Sequence, residues 1–105
     1  MKKFLVTGAA GFIGAKIVEK LILKNNLVVG IDNLNNYYNI KLKKDRLKNI
    51  SDMKKAKSYW KFFEDDIKDI NSLNRIFHSF KPEVVINLAA QAGVRYSINN
   101  PIAYI

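Results

Sequence analysis

Three glycines at three-residue spacing, Gly8-Ala9-Ala10-Gly11-Phe12-Ile13-Gly14, are the residues with the plainest chemistry in this chain. They lie between a short apolar run and a stretch of helical periodicity. A turn placed there sets backbone N–H groups at a helix N-terminus, where they lack partners and carry partial positive charge; such a turn binds phosphate. Gly8 allows the sharp turn, Gly11 has no Cβ to obstruct a pyrophosphate, and Gly14 lets the helix lie close to the strand. Asp32 follows 24 positions after Gly8, at the end of the next apolar run. That separation suits an acid accepting both hydroxyls of a ribose, and its charge would repel a 2′-phosphate. Turn and acid together predict a dinucleotide site that favours NAD over NADP. Asp65-Asp66-Ile67, after a later aromatic run, can either serve adenine or supply a helix-entry acid near a positive dipole end.

These residues need elements to hold them. Lys3–Thr7 and Leu27–Ile31 read as buried strands, and Phe12–Lys24 as a helix with Ile13, Ile17, Val18, Leu21 and Ile22 on its inner face. Residues 33–40 read as a loop. Residues 41–57 have helical spacing at Leu42, Arg46/Leu47 and Ile50, and Tyr59–Phe63 reads as a third strand. A helix capped by Asp69 or Asn71 follows, with Ile70, Leu73, Phe77 and Phe80 inward and Lys81-Pro82 at its end. Glu83–Asn87 is a fourth strand, and Asn100-Pro101 has the form of a helix start. Strands alternating with helices predict an α/β fold: a Rossmann-like, doubly wound parallel sheet with the first strand near the middle.

Composition narrows the classes. The chain has 105 residues, enough for one domain, and no cysteine, which excludes disulfides and thiolate metal sites. No apolar run is long enough to span a bilayer, and the apolar start stops at Thr7-Gly8, too early for a signal peptide. A cytoplasmic location is expected. The net charge of +9 raises the question of a polyanion partner. Residues 41–61 carry nine basic and two acidic side chains, but Lys, Asn and Ile fill 40 of 105 positions, as A/T-rich codons would dictate. We therefore expect the lysines of 41–61 to form a solvated outer face, with neither a nucleic-acid nor a membrane partner. His78 is expected to be exposed, and no metal site is expected.

Val6-Thr7-Gly8-Ala9-Ala10-Gly11-Phe12-Ile13-Gly14 resembles the start of the extended short-chain dehydrogenase/reductases. Gly30-Ile31-Asp32-Asn33-Leu34-Asn35-Asn36-Tyr37-Tyr38 and Asn87-Leu88-Ala89-Ala90-Gln91-Ala92-Gly93-Val94-Arg95-Tyr96-Ser97 narrow the resemblance to the UDP-glucuronate 4-epimerase branch of the nucleotide-sugar epimerases. The resemblance implies that Gly8, Gly11, Phe12, Ile13 and Gly14 hold the pyrophosphate of NAD. It implies that Asp32, Asn33 and Asn36 meet the adenosine ribose, and that Asp66 and Ile67 meet adenine. Leu88, Ala89 and Ala90 would pass near the nicotinamide, and Gly93, Val94, Arg95 and Ser97 would border a UDP-sugar pocket. The guanidinium of Arg95 suits that role because it can grip a carboxylate or phosphate with paired hydrogen bonds.

In this family a Tyr-x-x-x-Lys pair handles the proton of the sugar C4 hydroxyl. Tyr37-Tyr38-Asn39-Ile40-Lys41 has the spacing but follows the second strand, where the adenosine half binds, so no catalytic residue is expected in this chain. Residues 1–105 are expected to be the N-terminal, incomplete part of a dinucleotide-binding domain, marginally stable and inactive alone; full-length relatives commonly form homodimers. A fragment of a nucleotide-sugar 4,6-dehydratase, or of another UDP-sugar epimerase, is the alternative within the family. A small nucleotide- or nucleic-acid-binding module is the alternative outside it.

Overall fold

The computed structural model describes residues 1–34 and 40–89. The elements run β1 (Lys3–Thr7), α1 (Phe12–Leu23), β2 (Leu27–Asp32), α2 (Ile40–Ser51), α3 (Ala56–Tyr59), β3 (Trp60–Glu64), α4 (Ile70–Phe80) and β4 (Val84–Asn87). All pairings are parallel, in the order β3-β2-β1-β4. The first strand therefore lies inside the sheet, between β2 and β4. Val6 pairs with Gly30 on one side and with Ile86 on the other. The C-terminal ends of β1, β2 and β4, carrying Thr7, Asp32 and Asn87, thus lie along one rim. In open parallel sheets that rim is where ligands bind.

Two apolar clusters cover the two faces. Val6 and Val28 pack with Ala15, Val18 and Ile22 of α1 and Ile50 of α2. Leu5, Val29 and Ile31 pack with Ile67 and with Ile76 of α4. Strand residues alternate between the clusters because successive side chains point to opposite faces. Both faces are buried, so β1 and β2 read as continuous apolar runs.

Several helix faces depart from expectation. On α1 the inward stripe is Gly14, Ala15, Val18 and Ile22, while Ile13 is 62% exposed. By helical periodicity Ile13 falls on nearly the opposite side of α1 from that stripe. On α4, Ile76 is buried with Leu73 and Phe80 beside it, whereas Ile70 and Phe77 face outward. Leu73, Ile76 and Phe80 follow the i, i+3, i+7 spacing of one face, and Ile70 and Phe77 flank it. The single helix expected over 41–57 is two: α2 closes at Ser51, and α3 begins at Ala56 with the Ala56 N–H donating to the Met53 carbonyl. On α2, Leu42 is exposed and the inward positions are Lys43, Arg46/Leu47 and Ile50. Lys43 and Arg46 therefore correct the expectation that the basic residues here form only a solvated face.

Asp69 caps α4: its carboxylate accepts from the Ser72 N–H at 3.2 Å and from the Ser72 hydroxyl at 3.0 Å. The backbone bond first, then the hydroxyl, holds this carboxyl below its ordinary value. A lowered folded-state value means a contribution that is complete above the unfolded value and is lost as pH falls through the folded one. Asp69→Ala should therefore melt earlier than the parent protein at neutral pH. The gap between their melting curves should close as the solution is acidified below the usual carboxylate range.

Candidate functional site

The glycine turn is built by close backbone approach. Gly8 has φ +68°, a left-handed conformation, and a Cβ there would stand 2.7 Å from the Leu88 carbonyl carbon. A Cβ on Gly14 would stand 2.1 Å from the Gly8 carbonyl oxygen. These two glycines let β1, α1 and the end of β4 meet. Gly11 differs, because among the described residues its Cβ would meet only the Gly8 carbonyl oxygen, at 3.2 Å. Gly11 is the N-cap of α1 and has no side chain to cap it, and the first turn carries no acid. The first-turn N–H groups, which an α-helix leaves without intrahelical partners, therefore face the rim with no carboxylate competing for them. Phe12, 68% exposed, and Ile13 stand beside them as an apolar lip.

Asp32 closes the opposite side. Its side chain is 3% exposed. Oδ2 accepts from the Ala10 N–H at 3.1 Å, which ties the acid to the glycine turn. Oδ1 accepts from the Leu34 N–H at 2.8 Å and from the Lys43 ammonium at 3.0 Å. Arg46, one turn along α2, donates from Nη1 to the Ala10 carbonyl at 3.2 Å, with its guanidinium 5.8 Å from the centre of the Phe12 ring. The two peptide units flanking Ala10 are thus held, one through its N–H by Asp32 and the next through its carbonyl by Arg46.

At the β4 end, the Thr7 hydroxyl donates to the Asn87 side-chain oxygen, both residues being buried. The same hydroxyl accepts from the Ala89 N–H at 3.2 Å, and the Thr7 carbonyl accepts from the Leu88 N–H. These bonds fix Leu88 and Ala89 beside Gly8.

Of the residues singled out from sequence, Gly8, Gly11, Phe12, Ile13, Gly14, Asp32, Leu88 and Ala89 gather on this rim. Asn33 follows Asp32 and is exposed. Asp66 lies in the turn after β3, and its carboxylate accepts from the Lys68 N–H at 2.9 Å. Ile67 is packed into the cluster with Leu5 and Ile76. His78 is exposed, as expected. Asn36, Ala90, Gly93, Val94, Arg95 and Ser97 lie outside the described residues, as do Tyr37 and the expected helix start at Asn100-Pro101.

Thr7, Asn87, Lys43 and Arg46 were not foreseen. For the last two a signal exists: with Ile50, Lys43 and Arg46 fall on one face of α2 by i, i+3, i+7 spacing. Among the described residues, no cluster of acids or histidines could hold a metal, and no helix is long and apolar enough to cross a membrane.

A parallel sheet with β1 central, a glycine turn leading into an uncapped helix and an acid at the end of β2 define a Rossmann-like nucleotide-binding fold. The chain belongs to the GDP-mannose 4,6 dehydratase family, whose sequence model matches residues 5–105, within the extended short-chain dehydrogenase/reductases. It is 48% identical over 103 residues to Protein CapI of Staphylococcus aureus, covering 98% of this chain and 29% of that protein. It is 43% identical over 105 residues to a UDP-glucuronate 4-epimerase of Thermodesulfobacterium geofontis, covering 100% of this chain and 31% of that one. The crystal structure of UDP-glucuronic acid 4-epimerase from Bacillus cereus, in complex with UDP-glucuronic acid and NAD, superposes with a TM-score of 0.71 at 33% identity, over 90% of this chain and 28% of that one. The chain thus spans about 30% of the length of the relatives it matches.

Proposed function

We propose that this chain is the NAD-binding N-terminal part of a nucleotide-sugar epimerase that inverts C4 of UDP-glucuronate. The observation that carries the reading is the buried Asp32 carboxylate, bonded to the glycine turn and set across from the uncapped start of α1. That arrangement fits NAD: phosphate binds bare helix N–H groups, and a carboxylate accepts from ribose hydroxyls. The similarity to UDP-glucuronate 4-epimerases, spread over the whole chain, supports the choice of sugar.

In this reading NAD, when bound, supplies the acceptor and then the donor of a hydride at C4. This chain's residues bind and orient it. Gly8, Gly11 and Gly14 shape the cradle, the N–H groups of the first turn of α1 hold the pyrophosphate, and Phe12 and Ile13 shield it from water. Asp32, with Asn33 and Asn36, takes the adenosine ribose. Asp66 and Ile67 border adenine. Leu88 and Ala89, pinned by Thr7, lead with Ala90 toward the nicotinamide, and Gly93, Val94, Arg95 and Ser97 line the sugar-nucleotide side. No residue of this chain is assigned the proton transfer. We place the protein in the cytoplasm, as a homodimer in its full-length form, with residues 1–105 an incomplete domain.

The test is to give the full-length protein UDP-glucuronate and follow the sugar protons by NMR. Conversion to the C4 epimer with no net consumption of NAD supports the reading. No turnover of UDP-glucuronate, with loss of water from a sugar that has a C6 hydroxyl, makes the protein a 4,6-dehydratase instead.

A further inference from the structure

We infer that Lys43, seconded by Arg46, governs how strongly this site discriminates against a dinucleotide carrying a 2′-phosphate. The inference rests on the dinucleotide reading above and concerns its ribose end. Asp32 alone would present a buried negative charge to the ribose and repel a 2′-phosphate. It does not stand alone, because the Lys43 ammonium lies 3.0 Å from its Oδ1, with the two side chains 12% and 3% exposed. Arg46 adds a second positive charge on the same wall, where it holds the Ala10 carbonyl. These three side chains, one carboxylate and two cations, together carry a net positive charge.

The acceptor positions of Asp32 decide what Lys43 does when a ribose docks. A carboxylate offers about four acceptor positions. Among the described residues three are filled, by the Ala10 N–H on Oδ2 and by the Leu34 N–H and Lys43 ammonium on Oδ1. The two backbone donors are fixed by the glycine turn and by the end of β2, whereas the ammonium sits at the end of a flexible stem. A diol needs two acceptors, so docking moves the Lys43 ammonium off Oδ1 while keeping it beside the 2′-oxygen. There it donates to a hydroxyl or pairs with a phosphate. An ion pair serving only the fold would be broken by a bound ribose with no gain to either ligand, and buried pairs add little net stability.

The test compares NAD and NADP binding by calorimetry for the parent protein, Lys43→Met and Lys43→Arg, with thermal melts to verify folding. Lys43→Met should weaken NADP by about tenfold or more and NAD by less than about threefold, since the lost charge acts mainly on the dianionic phosphate. Lys43→Arg should restore the parent ratio. A second measurement needs no variant: NADP binding by the parent protein should weaken more steeply than NAD binding between about 50 and 300 mM salt. Equal losses of NAD and NADP in Lys43→Met, or parallel salt dependences, would overturn the inference while leaving the dinucleotide reading intact. Failure of the parent protein to bind either dinucleotide would overturn both.

Discussion

Replacing Gly14 by alanine should lower the melting temperature by more than about 12 °C, or abolish cooperative melting. The added Cβ would fall 2.1 Å from the Gly8 carbonyl oxygen and 3.2 Å from the Ala9 Cα, all of it backbone. No side chain can rotate away, so either α1 must back off β1 or the turn must open. Overpacking of this kind costs about 3 kcal/mol at the upper end of its usual range. In a domain of this size each kcal/mol shifts the melting temperature by roughly 4–8 °C. Gly11→Ala is the control. Among the described residues its Cβ would meet a single atom, the Gly8 carbonyl oxygen at 3.2 Å, a contact that a shift of a few tenths of an ångström relieves, so that variant should fold and melt much closer to the parent protein than Gly14→Ala. Its NAD affinity should nonetheless fall, because the new methyl occupies the approach to the first turn of α1. Differential scanning calorimetry of the two variants, with and without NAD, separates the glycine that serves the fold from the one that serves the ligand.

Asp32→Asn should weaken NAD binding on the order of a hundredfold, read by calorimetric titration. The substitution keeps the shape but removes the charge and one of two acceptor oxygens, and a hydrogen bond to a charged group is worth about 1.5–3 kcal/mol. It also leaves the largely buried Lys43 ammonium without its counter-charge, so the melting temperature should fall as well. The double variant Asp32→Asn with Lys43→Met separates the two effects. Removing the orphaned cation should recover much of the thermal stability, while NAD affinity stays low. If the double variant recovers both, the carboxylate acts on the ligand only through the fold.

The sheet was legible because its strands carry two local signals each. Lys3–Thr7 and Leu27–Asp32 are apolar runs ended by a glycine turn and an acid, and a parallel strand buried on both faces has no other way to read. The glycine turn was legible for the same reason, since Gly8 and Gly14 answer to local backbone geometry. Helix faces were harder. Ile13 and Ile70 fit an inward stripe drawn from the sequence, yet in the same first turns Gly14, Ala15 and Ser72 are the buried residues, and only the packing of each helix on the sheet decides which flank of the stripe turns inward. Lys43 escaped because a lysine's partner is not written in its own segment. Asp32 lies eleven residues earlier in the chain, and the packing of Ile50 into the α1 cluster is what turns Lys43 toward it. Thr7 and Asn87 escaped similarly: their hydrogen bond joins residues 80 positions apart, across the register of β1 and β4.

In the proposed function NAD lies against the start of α1 with its ribose on Asp32. A nitrogen-15 NMR titration of the chain with NAD tests this most directly. Binding there should give saturable shifts at the amides of Gly8 to Gly14, of Asp32 to Leu34, of Asp66 and Ile67 and of Leu88 and Ala89, with α4 from Asn71 to Phe80 unmoved. Saturable shifts on α4 or the outer face of α2 with the glycine turn unmoved, or no saturable shift while the spectrum remains that of a folded chain, would contradict it.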